Sequence, residues 1–275
     1  MTPSDGRRLD WILSPDSRPA PQGPGAGLIV GVLALQGDFR EHRVMLETLA
    51  PAKCACLADL DRLDGLVIPG GESTTISKLM TAYGLVEPVK AFARRGVVFG
   101  TCAGLITVAT GTVEGFPPTL GLIDIVARRN AFGRQVFSFE ADLDVAGLSG
   151  GPLRAVFIRS PWIERAGPGV KVLAEHQGHA VAARQGGVLV AAFHPELTHD
   201  TRLHGLFIDM VRLRRKGAWG RVPSLNGDSR RIRRSSSNLK AYGHQANRAA
   251  RLTPNFPGDL AAAAGECPTW RLAIT

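Results

Sequence analysis

From about Leu28 to Arg215, apolar positions follow two periods in alternation, one suited to strands and one to helices. Leu28 to Leu35 is almost continuously apolar, as a strand buried on both faces requires. Asp38 to Leu49 has helical spacing and is stopped by Pro51. Gly65 to Pro69 (GLVIP) reads as another short buried strand, ended by Gly70 and Gly71, with Ser73 or Thr74 placed to cap the helix that follows. Gly96 to Gly100 (GVVFG) is a further strand, entering a helix at Cys102. The second half is richer in strands, at Leu122 to Val126, Ala155 to Ile158, Val170 to Ala174, Ala180 to Ala183 and Val188 to Phe193. A final helix, Leu203 to Leu213, puts Leu203, Leu206, Phe207, Met210 and Val211 on one face. This alternation predicts an α/β domain with a mostly parallel sheet covered on both sides. Sites in such sheets form at the carboxyl ends of strands, so Gly71 and Cys102 belong on one rim.

The flanks carry no such pattern. Residues 1–27 and 217–275 are rich in Pro, Gly, Ser and Arg and read as disordered N- and C-terminal extensions around a domain at 28–216. The formal charge is +9, but the stretch Arg212 to Arg251 holds twelve Lys/Arg against Asp228 alone. That stretch contributes +11 and leaves −2 elsewhere, so a nucleic-acid partner would rest wholly on the tail and is not expected. No apolar run approaches the ~20 residues needed to span a bilayer. The N-terminal segment lacks the pattern of a secretory signal, so no membrane partner and a cytoplasmic location are expected. Four cysteines, Cys54, Cys56, Cys102 and Cys267, are too few and scattered for a disulfide framework. Cys54-x-Cys56 has no companion ligands nearby and reads as part of a core strand; neither a metal nor a cofactor is expected.

Three motifs carry chemistry. Gly100-Thr101-Cys102-Ala103-Gly104 joins a buried strand to a helix. A G-x-nucleophile-x-G turn is so sharp that its neighbours must be small, and it lifts the nucleophile clear of the sheet. A helix start also favours the thiolate. A lone buried cysteine is otherwise a small hydrophobe. Phe193-His194-Pro195-Glu196 follows another strand; an imidazole with a carboxylate two residues on supplies a base and the group that orients it. Pro69-Gly70-Gly71-Glu72-Ser73-Thr74-Thr75 brings bare backbone to a helix start, either as a tight turn or as a ligand loop. It lacks the phosphate-loop pattern.

Taken together these motifs resemble class I glutamine amidotransferases, and in detail the glutaminase subunits of pyridoxal 5′-phosphate synthase. The narrower likeness is carried by Leu33-Ala34-Leu35-Gln36-Gly37-Asp38 with Glu41-His42, by the Gly70-Gly71 loop, by Arg129-Asn130-Ala131-Phe132-Gly133-Arg134-Gln135 with Ser138-Phe139-Glu140, by Phe157-Ile158-Arg159-Ser160-Pro161, and by Phe193 to Thr198. The resemblance spans about Leu28 to Arg212 and implies a three-layer α/β/α sandwich of flavodoxin-like type. It implies Cys102 as nucleophile, His194 as base and Glu196 as its orienter. Gly71, Glu72, Ser73, Arg129, Ile158 and Arg159 match the glutamine-binding positions, with Gly70, Gly71 and Ala103 as oxyanion donors. The implied substrate is L-glutamine, and the implied partner is a TIM-barrel synthase subunit that receives the ammonia. Gln36 and Gly37 are the expected seat of partner-dependent activation. A glutaminase serving another acceptor, and a non-catalytic protein of amidotransferase fold, are the competing readings.

Overall fold

Four strands of this chain have no polar face at all, and they form the middle of the sheet. The computed structural model describes residues 27–218 except 56 and 133–137. β1 (Val30–Leu33), β3 (Gly65–Ile68), β4 (Val97–Thr101) and β12 (Val188–Ala191) are buried at every position. With β2 (Ala52–Ala55) at the edge they pair in parallel in the order β2-β1-β3-β4-β12. Strands shielded on both faces have no use for alternation, hence the continuous apolar runs.

Beyond β12 the sheet changes character. β11 (His179–Gln185) runs antiparallel to β12 and to β10 (Lys171–His176), and β9 (Trp162–Ala166) is antiparallel to β11 and β6 (Ile123–Arg128). β5 (Ala109–Thr112) ends the sheet in parallel with β6. β6 alternates buried and half-buried residues. β7 (Phe139–Leu143) and β8 (Leu153–Phe157) form a separate antiparallel ribbon. β5, β7 and β9 were not among the strands expected from the apolar pattern.

Helices cover both faces. The pleat of β4 sends Phe99 and Thr101 toward α1 (Phe39–Glu47) and α5 (Arg202–Arg215), where they meet His42, His204 and Phe207. Gly100 points the other way, onto α4 (Ala103–Val108). α2 (Ser73–Ala82) packs beside α4. This is the three-layer α/β/α sandwich. α3 (Val86–Arg95), which the apolar pattern does not single out, carries Pro88 in its first turn, where a missing N–H costs no helical bond. One expectation is corrected. The cap of α2 is neither Ser73 nor Thr74 but Glu72, whose carboxylate accepts from the N–H of Thr74 (3.0 Å) and Thr75 (2.7 Å). On α5 the buried face includes His204 and Ile208, while Leu206 is only partly buried. The expected extensions lie outside the described residues apart from Gly27, Gly217 and Ala218, as do Cys56, Cys267 and the Gly133-Arg134-Gln135 part of one motif. Among the described residues no helix is long and apolar enough to cross a membrane.

Candidate active site

β4 and β12 lie side by side in register, Val188 against Val98 through Ala191 against Thr101. The residues just past their carboxyl ends are therefore neighbours in space. Cys102 follows β4, and its N–H donates to Ala191 O at 2.8 Å. His194 follows β12, and its N–H donates to Val156 O of β8 at 2.8 Å. A strand end on each side thus fixes the backbone of both residues.

The turn at Cys102 is forced. Its φ of 48° lies in the left-handed region, unusual for a residue with a side chain. Its flanking glycines are required by close approach. A Cβ on Gly104 would stand 2.0 Å from Ile68 O, and one on Gly100 would stand 2.7 Å from the Gly104 backbone. Asn130 (φ 47°) and Arg159 (φ 45°) line the same cavity in the same strained region, which concentrates backbone strain at one place.

Around the thiol the polar groups are tightly arranged. His194 Nδ1 lies 2.7 Å from Glu196 Oε1, in the one-turn segment Pro195–Leu197, and 3.2 Å from Asp38 Oδ2. The Cys102 sulfur lies beside the same imidazole and stands 4.0 Å from Ile158 O. Burial alone would discharge that ring, but Asp38, Cys102 and Glu196 beside it push His194 up to about 12. Burial pushes the Glu196 carboxyl up, with its bond to His194 working against this. At neutral pH the imidazole is held protonated, between the Glu196 carboxyl group and the sulfur.

A cavity of about 300 Å³ opens over this group. It is lined by Gln36, Gly71, Glu72, Ser73, Cys102, Ala103, Arg129, Ile158, Arg159 and His194, all singled out by sequence. Glu196 is buried beneath His194. Gly70 does not line the cavity; it is pressed behind it, where a Cβ would be 2.6 Å from His194 Cε1. Gly37 is likewise set back, with φ 92° and no room for a Cβ, which would fall 1.7 Å from Gly70 O. Gln36 Oε1 accepts the Glu72 N–H at 2.7 Å and excludes any side chain at Gly71. The Arg129 guanidinium reaches Glu72 Oε1 and Thr74 Oγ1, each at 3.4 Å, and lies over the Phe116 ring.

Sequence reasoning gave no role to Asp38, although it is an N-cap residue whose side chain caps nothing. It also missed Asn130 as a lining residue, and His42 and His204 behind the site. Asp38, His194 and Glu196 are the one group of three potential metal ligands among the described residues, with ligand atoms within 4.8 Å of one another. Two carboxylates sharing one imidazole N–H account for that spacing.

Comparison with known proteins gives a consistent picture. The SNO glutamine amidotransferase family matches residues 32–213. A protein of Acidothermus cellulolyticus named pyridoxal 5′-phosphate synthase subunit PdxT is 57% identical over 192 residues, 66% of this chain and 93% of that one. One of the same name from Streptomyces avermitilis is 53% identical over 192 residues, 68% of this chain and 96% of that one. A crystal structure described as a glutamine amidotransferase superposes with a TM-score of 0.62 at 48% identity, over 66% of this chain and 98% of the other.

Proposed function

We infer the function from a plain premise: this chain belongs to the SNO glutamine amidotransferase family. It is the glutaminase subunit of a pyridoxal 5′-phosphate synthase, releasing ammonia from L-glutamine for vitamin B6 synthesis. The observation that supports a residue-level reading is the chain of contacts from the Cys102 sulfur through His194 to Glu196 beside a cavity of suitable size.

In this reading the Cys102 thiolate attacks the side-chain carbonyl carbon of glutamine. Negative charge grows on the carbonyl oxygen, and the backbone N–H groups of Gly71 and Ala103 are its donors, Gly70 shaping the turn behind them. His194 passes its proton to the departing nitrogen as the C–N bond breaks, which releases ammonia and leaves a thioester. The imidazole then takes a proton from water, the hydroxyl attacks the thioester, and glutamate leaves as the thiol is regenerated. Glu196 holds the His194 tautomer throughout. Arg129 and Arg159 match the charge of the substrate α-carboxylate, and Glu72, Ser73 and Ile158 shape its seat. The ammonia passes to the barrel-shaped synthase subunit, and docking of that partner near Gln36 and Gly37 completes the oxyanion site.

Cys102→Ala in the full chain, assayed with its synthase partner, should lower glutamate release by about four orders of magnitude while the fold survives. A glutamine-like electrophile should label Cys102. Labelling at Cys54, Cys56 or Cys267 instead would overturn the assignment.

A further inference from the structure

The triad leaves one oxygen over. Glu196 uses Oε1 on His194, while its buried Oε2 makes no aligned hydrogen bond among the described residues. His42 Nε2 stands 3.2 Å from that oxygen. His42 projects from α1 and is fully buried. Its Nε2 is also 2.9 Å from Thr101 Oγ1, the better aligned of the two, and its Nδ1 is 2.9 Å from Nε2 of His204, fully buried on α5. The Phe99 ring packs edge-on against both imidazoles. Polar contacts therefore run from the cavity through Cys102, His194, Glu196 and His42 to His204.

Hydrogen-bond accounting sets the direction of this chain. Burial holds His204 down to about 4, and burial together with His204 and His194 holds His42 well below the ordinary range, so both rings are neutral. A neutral imidazole has one N–H. With that proton on His42 Nδ1, a lone pair would face Glu196 Oε2. His204 would then carry its own proton on Nδ1, a buried atom with no partner. Protons on both Nε2 atoms remove both conflicts. His204 then donates to His42, and the His42 N–H faces Thr101 Oγ1 and Glu196 Oε2.

We propose that His42 is a positioning residue of the glutaminase reaction, its Nε2–H oriented by His204 and Thr101 so that Glu196 stays turned onto His194. This rests on the triad reading above. Without His42, Glu196 Oε2 has no other polar partner among the described residues to fix its orientation, and a terminal carboxylate torsion is broad.

The test uses the full chain with its synthase partner and follows glutamate release. His42→Leu should lower kcat by about tenfold, the scale of losing a close polar contact with a charged group, with KM for glutamine nearly unchanged. His42→Gln can place an amide N–H near the Nε2 position and should recover most of the rate. His42→Asn reaches only the Nδ1 position and should not. The Asn and Gln pair decides the matter even if the Leu variant fails to fold. In a Glu196→Gln background His42→Leu should cost nothing further. Full activity in His42→Asn, equal losses in Asn and Gln, or multiplying losses in the double variant would each overturn the proposal. Activity surviving Cys102→Ala would instead sink the triad reading beneath it, whereas an inactive Cys102→Ala beside an unimpaired His42→Asn sinks this inference alone.

Discussion

Asp38 stands where a helix cap is expected, at the start of α1, yet its side chain bonds none of the helix's free N–H groups. Its carboxylate turns instead to His194 Nδ1, at 3.2 Å against 2.7 Å for Glu196. One N–H cannot serve two acceptors equally, so Glu196 holds it at the shorter distance and Asp38 shares it at the longer. Burial tends to strip the proton from His194 and these partners hold it on. Asp38→Asn should therefore move the alkaline limb of the kcat/KM profile toward neutrality. Asp38 is about a third exposed, so screening should keep the shift to about one pH unit or less. An unmoved limb would show that Glu196 and Cys102 alone retain the proton. Cys102, His194 and Glu196 are legible in the sequence because each sits in a short motif of recognisable chemistry. Asp38, His42 and His204 are not, because an acid before a helix reads as a cap and a histidine on an apolar helix face reads as core. Only the packing of α1 and α5 against β4 reveals what they touch.

At the scale of elements, the β4–α4 elbow is the most constrained junction. The obstacles facing a side chain at Gly104 are the backbone carbonyls of Ile68 and Pro69, which cannot rotate aside. Gly104→Ala should destabilise the fold by about 3 kcal/mol and depress glutaminase activity, because α4 must back away from the end of β3 and carry Cys102 with it. Gly111→Ala in β5, with nothing within 4 Å, is the control and should melt close to wild type. A stable and active Gly104→Ala would mean the elbow is softer than its packing indicates. The elements best read from sequence are those of the parallel core, where burial on both faces writes an unbroken apolar run. β7 and β9 carry Glu140, Asp142, Glu164 and Arg165 on exposed or half-exposed positions, and that polarity hides them. The cap of α2 was misread for a related reason: Glu72 reaches forward two and three residues with a longer side chain than the serine or threonine expected.

For the molecule as a whole, part of this chain lies outside the region matched by the relatives described above. The alignment with the Streptomyces protein takes in 96% of that chain but only 68% of this one. α5 already closes the sandwich, with Phe207 and Val211 packed over Gly65. Removing residues 219–275 should leave glutaminase kcat/KM within about twofold and the melting temperature little changed. A truncated chain that aggregates or melts much earlier would assign those residues to the folded core. The sequence pattern places the end of the domain at residue 216, where helical periodicity gives way to Pro, Gly, Ser and Arg.

The pairing of β4 with β12 has a consequence for how the protein is made. Translation delivers Cys102 early and His194 late, since β12 is the last strand among the described residues. Everything that brings Cys102 and His194 together, the four-rung register and the Cys102 bond to Ala191, exists only once that last strand has docked. In the proposed mechanism, copies in which β12 has not docked lack the pairing of Cys102 with His194, so ammonia release is reserved for those in which it has.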